Sequence, residues 1–241
     1  MSNCIDLFIN DYYMSYGILK WVSWDMERAP HLLLCGQTGS GKTYMAKLLL
    51  AKTYLATKCE LYIADYKSDS DFDWLCNLPH FYRYTQCHNA LEDFYVRFTQ
   101  RQNGVDKQRH PIVFFFDEWA SYCNASDKKI LEEDKKKLGI LVSLGRSFRC
   151  HIIISQQRCD AVYFGTFRDN FSGMMVGNGS EESRKMLFPD YAKNIPADRT
   201  RGTGYVSFNG CKPIAFTVPS IRRPFYVHRL IKEAVSTRSN S

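Results

Sequence analysis

The octet Gly36-Gln37-Thr38-Gly39-Ser40-Gly41-Lys42-Thr43 follows directly on the apolar run His31-Leu-Leu-Leu-Cys35 and leads into helix-forming residues from Lys42 to Leu55. Three glycines in eight residues let the backbone turn its N–H groups inward, and the start of a helix adds the positive end of its dipole. A strand, a GxxxxGK[ST] loop and a helix in that order form a cradle for phosphates. Gly36, Gln37, Thr38, Gly39, Ser40, Gly41, Lys42 and Thr43 are therefore read as nucleotide-binding residues. In such a loop Lys42 reaches the β and γ oxygens, and the Thr43 hydroxyl is placed to ligate Mg²⁺.

Three further runs, Glu60 to Ala64, Ile112 to Phe116 and His151 to Ser155, are rich in Leu, Ile, Val and Phe without polar alternation. Parallel strands covered on both faces have that composition. Helices are predicted over 42–55, 90–102 (ending at Asn103-Gly104) and 128–148. In the last of these, Glu132/Lys136 and Glu133/Lys137 fall at i,i+4 on a solvent face. Gly204 to Phe208 and Pro213 to Val218 flank Asn209-Gly210, which predicts an antiparallel hairpin closing the sheet edge. The fold class is α/β: a mostly parallel central sheet with helices on both faces and a C-terminal β-hairpin. The expected division is N-terminal strands over 1–30, the nucleotide-binding core over 31–220, and a basic helix with a frayed tail over 221–241.

The third run ends in Asp117-Glu118, at the carboxyl end of a buried strand, where open α/β sheets bind ligands. Asp117 is expected to hold the Mg²⁺ shell and Glu118 to polarise a water as general base. The fourth run ends in Gln156-Gln157. If that strand lies between the other two, Gln156 emerges beside the γ-phosphate, where an uncharged amide suits a sensor.

Composition sets limits. With 241 residues, 45% apolar and 24% charged, the chain has enough material for one large core, which excludes a disordered chain or a disulfide-stapled miniprotein. The net charge is +7, and from Ile195 onward eight basic residues stand against two acidic ones, which suits a polyanionic partner. Nine cysteines, with no CxxC pair and no Cys/His cluster, read as reduced thiols of a cytoplasmic protein rather than a zinc site. No apolar run approaches the roughly 20 residues of a membrane span. The segment MSNCIDLFINDYY carries acids where a secretory leader has bases.

Five stretches in one order resemble the FtsK/SpoIIIE motors of the FtsK–HerA superfamily. Asp25-Met-Glu-Arg-Ala-Pro-His31 through Thr43 is similar to that family's Pro-His strand and phosphate loop. Ile63-Ala-Asp65-Tyr-Lys67 resembles its second strand ending in Asp-Pro-Lys, and Phe116-Asp117-Glu118-Trp-Ala120 resembles its Walker B segment. Gly145-Arg146 through Gln156-Gln-Arg158 resembles the strand that ends in Gln-Arg, and Ser180-Glu-Glu-Ser-Arg184 its Ser-x-x-Asp-Ser-Arg stretch. The similarity runs from about Tyr16 to Ile221. Tyr66 replaces a proline and Ser183 an aspartate, and the larger motors' membrane segments and sequence-reading domain have no counterpart here, which points away from a cell-division role.

The resemblance implies a RecA-like core that binds ATP and Mg²⁺, assembles into a ring, usually a hexamer, and hydrolyses ATP while moving along double-stranded DNA. The host would be a plasmid, conjugative element or phage, and a membrane or capsid protein the docking partner. It also implies an arginine entering the site from the next subunit, with Arg184 the first candidate and Arg146 the second. Lys128, Lys129, Arg158 and Arg168 are the candidate DNA phosphate contacts. The stretch Tyr163-Phe164-Gly-Thr-Phe167 reads as core or interface packing before it reads as a stacking platform. An alternative is a P-loop switch or scaffold in a secretion or virion-assembly machine with a protein client. A small-molecule kinase is a third reading, opposed by the Asp117-Glu118 pair, since a base for water serves hydrolysis.

Overall fold

The four apolar runs form the centre of one ten-stranded sheet. In chain order the strands are β1 (Cys4–Asn10), β2 (Trp21–Asp25), β3 (His31–Cys35), β4 (Glu60–Asp65), β5 (Phe81–Arg83), β6 (Ile112–Asp117), β7 (Cys150–Gln156), β8 (Ser172–Val176), β9 (Thr203–Ser207) and β10 (Ile214–Thr217). The helices are α1 (Asp11–Met14), α2 (Lys42–Thr57), α3 (Cys87–Gln102), α4 (Trp119–Ala125), α5 (Lys128–Leu144), α6 (Glu181–Leu187) and α7 (Pro224–Ser236). The computed structural model describes residues 4–108 and 110–237; of the tail expected to fray over 236–241, Ser236 is instead the last residue of α7, and 238–241 lie outside the described residues.

The strand order is β2-β1-β10-β9-β8-β3-β7-β6-β4-β5. The six strands from β8 to β5 run parallel, and β9, β10, β1 and β2 extend the sheet antiparallel. Every residue of β3, β4, β6 and β7 is buried, as expected for strands without polar alternation. Helices α2 and α7 cover one face, where Met45, Leu49, Val227 and Ile231 meet Leu34, Val113 and Ile153. Helices α3 and α5 cover the other, where Phe94, Phe98, Leu138 and Leu141 meet Phe114, Phe116 and Ile154.

Three expectations are corrected. The β9–β10 hairpin forms as an antiparallel pair but does not close the sheet, because β1 pairs with β10 and β2 with β1. The Phe8 ring of β1 stacks on Phe216 of β10 with centroids 4.3 Å apart, so the edges are β2 and β5. The helix predicted to Phe148 stops at Leu144, and Gly145–Phe148 tightens into a 3-10 turn before β7. On α5, Lys137 pairs with Glu92 of α3 rather than with Glu133. No helix among the described residues is long and apolar enough to cross a membrane.

Candidate nucleotide site

Strand β7 lies between β3 and β6, and the registers align the carboxyl ends: Cys35 opposite Gln156, Ser155 opposite Asp117, Asp117 opposite Asp65. The phosphate loop leaves β3 at this end. Gly36 is required by close approach, since a Cβ there would stand 2.6 Å from Ser40 Oγ and 2.9 Å from the Val176 carbonyl. Gly41 is required by conformation: with φ +96° it turns the chain into α2. Gln37, Thr38, Gly39, Gly41, Lys42 and Thr43 line a cavity of about 440 Å³. Gly36 and Ser40 are not among its lining residues and pack against each other.

Lys42 is only 7% exposed, and its ammonium is the centre of the site. Its Nζ donates to Glu118 Oε1 at 2.7 Å, Ser155 Oγ at 3.0 Å and Asp117 Oδ1 at 3.2 Å, while Ser155 Oγ donates to Asp117 Oδ1 at 2.6 Å. Burial works to lower the Lys42 pKa, but the two carboxylates outweigh it and hold the group above its ordinary value. The side chain is therefore a fixed positive charge held against the two carboxylates at the end of β6. Glu118 has φ +64°, a left-handed conformation unfavourable for a residue with a Cβ. Two hydrogen bonds hold it there: its N–H donates to the Ser155 carbonyl at 2.7 Å, and its carbonyl accepts from Tyr122 N–H at the start of α4. The Thr43 hydroxyl and the Asp117 carboxylate are hard oxygen donors of the kind Mg²⁺ takes.

Gln156 does not join this group. Its neighbour Ser155 points toward Lys42, so Gln156, one residue on, turns to the other sheet face. There it is fully buried, with its amide against the Cys159 thiol. The amide at the cavity belongs to Gln157, whose Oε1 accepts from Thr38 Oγ1 at 3.2 Å. Ser155 and Gln157 are thus the residues that the sequence reading missed.

Neither candidate arginine lines the cavity of its own chain. Arg184 on α6 donates from Nη1 to the Ile195 carbonyl at 2.9 Å, and Arg146 is exposed on the turn entering β7, at the opposite end of the strand. Arg158 lines a neighbouring cavity of about 360 Å³ that shares Glu118 and Gln157 with the first, and sits 3.7 Å from Glu182. Arg168 lies 3.3 Å from Asp169, and Lys128 and Lys129 are exposed on the first turn of α5. Phe164 is buried and the Tyr163 carbonyl accepts from Trp119 Nε1, so that aromatic stretch is packing for α4.

Asp65 stands beside Asp117 at the end of β4. Burial pushes its carboxyl up to about 6, with the Asp117 charge adding to the shift and the Ser68 N–H and Arg83 opposing it. Because the folded chain binds this proton more tightly than the unfolded one, stability is lost as pH rises from about 4 to about 6 and stays lower above that. Asp65→Asn is expected to be more stable than the parent at pH 7, by on the order of 2 kcal/mol, and no more stable at pH 4. Urea unfolding at the two pH values measures this, and an equal difference at both would contradict it.

Motif order, topology and the converging strand ends define the class: the chain has the α/β fold of P-loop ATPase domains, and its sequence is similar to an FtsK-domain protein. It is 26% identical over 248 residues, covering 94% of this chain and 51% of the relative, to the FtsK domain-containing protein YdcQ of Bacillus subtilis strain 168. No family model matches the sequence. Among solved structures it superposes on the pCW3 conjugation coupling protein TcpA with ATPγS at TM-score 0.69 and 18% identity, covering 90% of this chain and 66% of that one. Thermomonospora curvata EccC (ATPases 2 and 3), in complex with a signal sequence peptide, gives TM-score 0.69 and 18% identity over 92% of this chain and 41% of that one. The chain spans about half the length of its Bacillus relative.

Proposed function

We propose that the chain is the ATP-hydrolysing core of a ring-forming motor, hexameric by family resemblance, that moves double-stranded DNA in the cytoplasm during transfer, segregation or packaging of a plasmid, conjugative element or phage genome. The observation that carries this reading is the meeting of Lys42, Asp117, Glu118 and Ser155 beneath the phosphate loop, at the carboxyl ends of three adjacent parallel strands. The likeness to a conjugation coupling protein solved with ATPγS and to an FtsK-domain protein supports it.

A triphosphate entering the loop competes with the carboxylates for Lys42 and draws the ammonium toward its β and γ oxygens. Glu118, released from Lys42, accepts the proton of the attacking water, while Ser155 holds Asp117 in orientation. Mg²⁺, held by Thr43 and Asp117, would neutralise charge on the phosphates. Of the two arginines offered to a neighbouring subunit, Arg146 is the exposed one, whereas Arg184 is committed to the Ile195 carbonyl. Lys128, Lys129, Arg158 and Arg168 would grip phosphates rather than bases, as movement along any sequence requires.

Turnover measured with and without linear duplex tests the motor. Duplex is expected to raise the ATPase rate at low salt, with the stimulation fading as salt rises and counterion release loses its drive. Robust turnover indifferent to duplex would contradict it. The likeness to EccC bound to a signal sequence peptide favours a second reading, a secretion-type ATPase with a protein client. Stimulation by a client peptide and not by duplex would select that reading.

A further inference from the structure

Four Lys and Arg side chains line the phosphate-loop cavity: Lys42, Lys47, Lys67 and Arg201. Three have carboxylate partners: Lys42 has Asp117 and Glu118, Lys47 has Asp71 at 2.9 Å, and Lys67 has Asp69. Among the described residues Arg201 is the one of the four with no ion pair. Its loop-mate Arg199 is turned away and paired with Asp11, with its guanidinium over the Tyr205 ring. One loop thus carries two arginines, one neutralised and one left facing a site shaped for a polyanion.

The loop that carries Arg201 is clamped to the phosphate loop. Gly202 N–H donates to the Ser40 carbonyl at 2.9 Å, the Gly202 carbonyl accepts from Val218 N–H at 2.8 Å, and the Thr203 carbonyl accepts from Gly177 N–H at 2.8 Å. Residues 200–203 are therefore fixed between the phosphate loop, the end of β8 and the end of β10. The stem of Arg201 passes over the start of α2, with Cγ 3.8 Å from where a Cβ on Gly41 would sit. The amides of that helix start would face the phosphates of a bound nucleotide. Two like charges on one cavity wall repel each other until an anion lies between them, and a planar guanidinium fork suits phosphate oxygens.

We propose that Arg201 is a phosphate ligand of the nucleotide held by its own chain, a cation acting in cis and distinct from any arginine supplied by a neighbour. The proposal rests on the nucleotide reading of the cavity and adds a binding residue to it. The side chain is exposed, so Arg201→Ala is expected to fold as the parent does, which thermal unfolding without nucleotide checks. Titration of a fluorescent ATP analogue with Mg²⁺ into the parent, Lys42→Ala, Arg201→Ala and Arg201→Lys provides the test. Arg201→Ala is expected to bind roughly tenfold to a hundredfold more weakly than the parent, and Arg201→Lys to recover part of the loss. Parent-like affinity in Arg201→Ala, alongside lost affinity in Lys42→Ala, would overturn this assignment and spare the nucleotide reading. Failure of the parent itself to bind would overturn both. Mixtures of Lys42→Ala and Arg201→Ala chains are expected to gain no turnover over the separate variants. Recovery in the mixture would show the residue working across subunits and overturn the cis assignment.

Discussion

Glu118→Gln is expected to leave Mg-ATP bound and nearly unhydrolysed, with turnover down by about 10²- to 10⁴-fold. The substitution keeps the side chain's size and removes its charge. Glutamine has the length of glutamate, and its Oε1 can still accept from Lys42 Nζ, a bond of 2.7 Å in the parent. It cannot take a proton from water. It also removes one of the two carboxylates that hold Lys42, so nucleotide affinity is expected to stay level or rise as a competitor for the ammonium is lost. Separate measurement of kcat and of ATP affinity distinguishes this from general damage to the site. Parent-like turnover would remove Glu118 from the chemistry.

The second large effect is expected from Lys42→Ala, on binding and on stability together. Nucleotide affinity should fall by roughly a hundredfold, the scale of a lost hydrogen bond between charged groups. Stability should fall by about 3 kcal/mol, because Asp117 and Glu118, each 4% exposed, then remain buried without their cation. Denaturant unfolding without nucleotide measures the stability loss, and titration of a fluorescent ATP analogue measures the loss of affinity. A Lys42→Ala chain that bound Mg-ATP as tightly as the parent would contradict the role given to this lysine.

The sequence pattern carried the phosphate loop and the Walker B strand, because a loop with a fixed spacing and apolar runs with charged ends are local signals; that β7 lies between them, a condition in the sequence reading, is given by the strand order. It did not carry side-chain direction. In β7 the run His151-Ile-Ile-Ile-Ser155-Gln156 is buried on both faces, so no polar alternation marks which residue faces α2. A one-residue error in parity was enough to put Gln156 in the place that Ser155 and Gln157 occupy between them. The sheet edge was misplaced for a related reason. Whether a hairpin ends a sheet depends on what pairs with its outer strand, here Cys4–Asn10, more than two hundred residues away along the chain. Strand β8, Ser-Gly-Met-Met-Val, has only one β-branched residue and owes its place to the parallel pairing with β3. Arg201 carried no local motif, and the proposal made for it lies in the absence of an ion pair among the described residues, a three-dimensional property.

The most direct measurement is a crystal structure of the chain with Mg²⁺ and a nonhydrolysable ATP analogue. The triphosphate is predicted to lie in the loop of residues 36–43, with Lys42 Nζ withdrawn from Glu118 onto the β and γ oxygens, Mg²⁺ between Thr43 and Asp117, and Glu118 facing the γ-phosphate. Nucleotide bound elsewhere, or bound in the loop with Lys42 still held by Glu118 and that carboxylate turned from the γ-phosphate, would contradict it.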